Sequence, residues 1–234
     1  MKRFIKYFWD INKMVTRLMN RIRRIRERPR YAEYWYTNEN LFGIMKGMDF
    51  REDDEVLAIC GSGDQPLAMI ETARQVWAID HDENQIGLAH FLVDLLKRRK
   101  YSEFLEGREW DYFSIERLKR IRRNLKTLNL TQADLFSLPK ELTSRTYSKI
   151  YLSNALTYGS ASESQAISTL EALVRILNPK GLVYTSQCDG DRKYFESNSS
   201  FEKDGVLTER ARLYHRPPHE TIKRWNPSVY RKVK

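Results

Sequence analysis

The 234 residues are 41% hydrophobic and 12% aromatic, which excludes a disordered chain and suffices for one α/β domain plus an appendage. Two cysteines, Cys60 and Cys188, stand outside any C-x-x-C pair, so a disulfide scaffold is excluded and a reducing, cytoplasmic setting is expected. No apolar run approaches the roughly 18 residues of a spanning helix, and the net charge of +10 is concentrated in residues 1–30, with eleven Lys/Arg and two acids.

In that leader Phe4, Phe8, Ile11, Val15, Leu18, Ile22 and Ile25 recur at intervals of four and three, one stripe of an amphipathic helix that Pro29 ends. A basic helix with such a stripe suits a lipid or membrane surface, which would make the protein peripheral there. It equally suits packing on protein, including an oligomer contact, and its charge suits RNA. After the aromatic cluster Tyr31–Tyr36, a helix is expected within residues 37–50. Strand and helix then alternate: strand Val56–Cys60, helix Gln65–Arg74, strand Val76–Ile79, helix Glu83–Arg99. A helical insertion covers about 102–128. Strands Leu130–Ala133 and Lys149–Leu152 follow, then a helix over Ser162–Leu177 with a capping box of Ser160 and Glu163, and a strand over Leu182–Ser186. Val206–Arg216 reads as a strand or hairpin. Continuous apolar strands alternating with helices predict a Rossmann-like, mostly parallel sheet with helices on both faces, occupying residues 31–234.

The ligand site of such a sheet lies at the carboxyl ends of its strands. The first strand–helix turn is Cys60-Gly61-Ser62-Gly63-Asp64-Gln65-Pro66. Its glycines permit a tight turn and close approach to a ligand. Asp80 ends the second strand, where an acid can hold ribose hydroxyls. A dinucleotide fingerprint would place a third glycine at position 66, and Asp64 puts negative charge where a pyrophosphate would sit. The turn therefore fits an adenosyl ligand without phosphate, such as S-adenosylmethionine (SAM), whose cationic groups favour a nearby carboxylate. Asp134 and Leu135, after the third strand, suit an adenine amino group and ring; Ser153 and Asn154 end the fourth strand at the mouth of the site. His81, beside Asp80, suits ribose or adenine or faces solvent. Arg98, Arg99, Arg120, Arg122 and Arg123 are candidates for holding an anionic group, or form a solvated helix face. No metal-ligand spacing occurs in the sequence.

The lead-in Tyr31-x-x-x-Trp35, "VLAICGSGDQPL", "VWAIDHDENQIGLAHFLVDLL", "ADLF", "IYLSNAL" and "LTERARLYHR" together resemble the S-adenosylmethionine:diacylglycerol 3-amino-3-carboxypropyltransferases of betaine-lipid synthesis, within the class I SAM-dependent methyltransferase fold. The resemblance covers residues 31–216 in outline and is specific around 56–96 and 149–156. It implies that Tyr31, Trp35, Gly61, Ser62, Gly63, Asp64, Gln65, Asp80, His81, Gln85, Asp134, Leu135, Ser153 and Asn154 bind SAM. It also implies transfer of the aminocarboxypropyl group to a lipid hydroxyl with release of methylthioadenosine. A hydroxyl acceptor must lose its proton. Tyr214, His215, Asp189 and His219 are candidates for that role. The alternatives are a methyltransferase acting on RNA or a small molecule, and a non-catalytic binding module of the same fold.

Overall fold

The computed structural model describes residues 32–106, 108, 112–158, 161–187, 190–214 and 225–233. The leader, Tyr31, Cys188, Asp189, His215 and His219 lie outside the described residues.

The first described helix, α1 (Leu41–Met48), starts at Asn40, whose side chain accepts from the Gly43 N–H. Then come β1 (Glu55–Ile59), α2 (Asp64–Met69), β2 (Gln75–Asp80) and α3 (Glu83–Lys97), capped by Asp82. The insertion forms two helices, α4 (Tyr101–Leu105) and α5 (Ile115–Asn124). Next are β3 (Leu128–Gln132), the short α6 (Lys140–Thr143), β4 (Tyr147–Ser153), α7 (Glu163–Ile176) and β5 (Leu177–Gln187). The last elements are α8 (Arg192–Glu196), β6 (Phe201–Lys203), α9 (Gly205–Leu213) and β7 (Trp225–Lys232).

The seven described strands lie in the order β3-β2-β1-β4-β5-β7-β6. The pairings among β1 to β5 are parallel, and β7 runs antiparallel to both β5 and β6. Side chains alternate between faces along each strand. Val56 and Ala58 join the core under α1, α3, α5 and α9, while Leu57 joins the core under α7 and α8. Both faces are thus covered, which explains the unbroken apolar strands.

Two expectations change. Val206–Leu213 is helical, because Asp204 caps the Leu207 N–H and the segment buries Leu207, Thr208 and Ala211 on one side. The capping box of α7 is formed by Ser162 and Gln165 instead of Ser160 and Glu163. Among the described residues, no helix is long and apolar enough to cross a membrane.

Candidate functional site

The chain runs outward from β1 to β2 and β3, then returns to β4 on the other side of β1. The reversal opens a crevice at the carboxyl ends of β1 and β4. A cleft of about 140 Å³ occupies it. Of the residues expected to bind a ligand, Gly61, Ser62, Gln65, Asp80, His81, Gln85, Asp134, Leu135, Ser153 and Asn154 all line this cleft.

The turn above β1 is held by its own polar groups. Gly61 and Gly63 adopt φ of +51° and +82°, in the left-handed region that favours glycine. The Gly61 N–H donates to Asp80 Oδ2 at 3.0 Å, and the Asp82 N–H donates to Asp80 Oδ1 at 3.1 Å. Burial raises the Asp80 pKa, and these two backbone donors oppose the rise. Gln85 Nε2 donates to the Gly61 carbonyl at 2.7 Å and to the Tyr34 carbonyl at 3.0 Å, while its Oε1 accepts from the Tyr34 N–H. Gln85 therefore staples the segment preceding α1 to the glycine turn. On the far side, the Asp134 side chain accepts from the Phe136 N–H at 2.9 Å.

Several expected residues stand elsewhere. Asp64 turns away from the cleft. It is fully buried, accepts from Arg108 Nε at 2.8 Å, and also accepts from the Thr37 N–H and Ser62 Oγ. Its charge is compensated inside the protein and is not offered to a ligand. Gly63 is outside the lining; a Cβ there would sit 3.1 Å from Ala89 Cβ, so its bareness lets the turn approach α3. Trp35 lies on the outer side of the same segment, beside Leu88, Phe91 and Arg108. Tyr214 is exposed at the end of α9 and stacks on Phe42, away from the cleft. Arg120 pairs with Glu71 and Arg98 with Asp94, so neither reaches the site. Among the described residues, no cluster of His, Cys, Asp and Glu could hold a metal ion.

The segment before α1 contributes residues that the sequence pattern did not single out. Glu33, Tyr34, Thr37 and Asn38 line the cleft, joined across it by Tyr151 and Tyr158. Tyr34 hydroxyl bonds Tyr158 hydroxyl, which donates to Glu33 Oε1 at 2.6 Å. These contacts close a strap over one side of the cleft. The aromatic density of "YAEYWYTNEN" was the available signal. Beneath the strap lies Glu39, 2% exposed, whose Oε1 accepts from Tyr151 hydroxyl at 2.6 Å and Ser153 Oγ at 2.5 Å. Burial pushes its carboxyl up to about 7, against the lowering effect of those donors.

No protein-family model matches this sequence, and no curated protein matches it. Solved structures do share its architecture. An rRNA methylase from Streptococcus thermophilus superposes with a TM-score of 0.51 at 10% identity, covering 82% of this chain and 94% of that one. The [4+2]-cyclase SpnF superposes with a TM-score of 0.52 at 12% identity, covering 81% of this chain and 78% of that one. At such identities the likeness is one of fold alone, and one fold here carries two different kinds of reaction. The chain has the Rossmann-like fold of SAM-dependent methyltransferases.

Proposed function

We propose that the cleft binds SAM and that the chain is a transferase using it as co-substrate. The observation that carries this reading is the charge of the cleft wall. Glu33, Asp80, Asp82 and Asp134 line it, and among the described residues no Lys or Arg does. A pyrophosphate would meet uncompensated repulsion there, whereas a cationic adenosyl ligand meets attraction. The residues present fit such a ligand. Asp80 and Asp82 offer acceptors to ribose hydroxyls, Leu135 and Ile59 offer apolar walls to a ring, and the bare turn admits close approach.

Bound SAM supplies an electrophilic carbon beside a sulfonium leaving group. The protein's part is to orient that group and the acceptor and to exclude water. Aminocarboxypropyl transfer to a lipid hydroxyl is the finer reading. It is supported by the motif resemblance and by the basic leader, which would dock on a membrane surface. Methyl transfer to RNA or a small molecule is the second reading, favoured by the fold shared with an rRNA methylase.

The test is incubation of the purified chain with SAM and a total lipid extract, followed by chromatography of the nucleoside product. Methylthioadenosine rising with added diacylglycerol is the expected result. S-adenosylhomocysteine would establish the methyltransferase, and calorimetry without SAM binding would overturn both. D80N, which removes an acceptor from the turn, should weaken SAM binding by roughly tenfold or more.

A further inference from the structure

Glu39 is a carboxylate buried beside the cleft, 2% exposed, and unlike the buried Asp64 it has no arginine partner among the described residues. Its Oε1 holds two hydroxyl donors, and its Oε2 has no hydrogen-bond partner. No basic side chain pairs with either oxygen among the described residues. The titratable groups that face it are Tyr151 from β4 and Tyr184 from β5, both with hydroxyl pKa values raised well above the ordinary range by burial and by the carboxylate itself. A buried carboxyl without a basic partner is costly, and groups shifted in this way cluster at functional sites.

The path from Glu39 to the cleft is short. Ser153 lines the cleft and touches the carboxylate at 2.5 Å. It is not a glycine, yet its φ is +55°, in the left-handed region, at the end of β4 where the register with β5 shifts. Backbone strain of this kind concentrates at functional sites. Ser186 Oγ lies 3.4 Å from Ser153 Oγ and keeps the pair hydrogen-bonded on its inner side.

Resting on the SAM reading of the cleft, we propose that Glu39 is the proton acceptor of this site and that Ser153 is its contact with the acceptor substrate. The proton leaves the acceptor's O–H or N–H for Ser153 Oγ as Ser153 passes its own proton to Glu39 Oε1. The electron pair stays on the acceptor atom, which becomes the nucleophile. Glu39 must be ionised beforehand, and a cation arriving in the cleft favours that form. It lowers the carboxyl pKa by electrostatic attraction and drives a proton out to solvent. Ser153 is the catalytic residue and Glu39 acts through it.

Calorimetric titration of the full chain with SAM, in buffers of different ionisation enthalpy between about pH 6 and 8, counts the protons exchanged on binding. The wild type should release a substantial fraction of one proton, with a maximum below pH 7, and E39Q should bind SAM and release markedly less. S153A, which removes one donor from the carboxylate, should move the maximum to higher pH. This variant keeps the test decisive if E39Q does not fold. SAM binding without proton release, or an E39Q variant or S153A maximum that matches the wild type, overturns the role of Glu39 and leaves the SAM reading intact. No SAM binding at all overturns that reading and this proposal with it. In the nucleoside assay, E39Q and S153A should lose roughly a hundredfold or more in kcat with KM for SAM little changed. Retained kcat in either variant also overturns the proposal.

Discussion

Glu39 couples the site to the stability of the protein. Its folded pKa of about 7 lies above the ordinary value of 4.5, so the folded state holds a proton that the unfolded state has released between those pH values. The resulting stability is fully present below about pH 4.5 and is lost as pH rises through about 7. The full change is about 3 kcal/mol. Urea unfolding of the wild type should therefore show this fall across the window, and E39Q should lack it. Equal slopes in the two proteins would show that Glu39 does not titrate there. At this scale the sequence was informative where geometry follows from residue type. Gly61 and Asp80 could be placed because a turn after a strand needs glycine and an acid at the next strand's end has one place to point. Glu39 could not be placed, because a glutamate just ahead of a helix start looks like any solvated acid. Asp64 misled for the opposite reason. The turn position was right, but its partner Arg108 comes from the insertion 44 residues later in the chain.

That pair belongs to the scale of elements. The insertion is clipped to the glycine turn by the Asp64–Arg108 ion pair, with side chains 0% and 5% exposed. The Arg108 guanidinium also lies over the rings of Phe104 and Tyr36, and it donates to the Phe104 carbonyl. A second clip fastens α5, where Glu71 accepts from Arg117, Arg120 and Tyr112. Removing one member of the inner pair leaves a buried charge alone, so D64N and R108M should each cost about 3–5 kcal/mol. The double variant D64N/R108M should recover much of that loss, giving a coupling measurable by denaturant unfolding in a double-mutant cycle. Additive losses would mean that the two side chains act independently. The elements themselves were mostly legible, because the strands through Ser186 are continuous apolar runs and the helices between them follow the 3.6-residue period. The exception, α9, was misread because Val206 and Leu207 suggest a strand. The cap at Asp204 and the spacing of Leu207 and Ala211 carry the helical signal.

For the whole molecule, charge separates two parts. Residues 1–30 carry almost all of the net +10, leaving the α/β domain close to neutral. Under the lipid reading, removing these residues should abolish cosedimentation with vesicles rich in anionic lipid, at about 1 kcal/mol per basic residue near the surface, while SAM binding stays within about twofold. Unchanged cosedimentation would exclude the leader as the docking element. The parallel sheet and its ligand crevice were readable from the alternation of strands and helices. The edge beyond β5 was not, because the antiparallel pair there is made by segments that are distant in the chain and carry no hairpin signal between them.

That edge also dictates an order of assembly. Among the described strands, β6 touches the sheet only through β7, which follows it in the chain, and β7 is itself bonded on both sides. β6 therefore has no partner while it is being synthesised, and β5 keeps an open edge until β7 arrives. During translation the crevice between β1 and β4 can form early, whereas the far side of the sheet waits for its last strand. The β5 edge is the stretch most exposed to pairing with another chain in that interval.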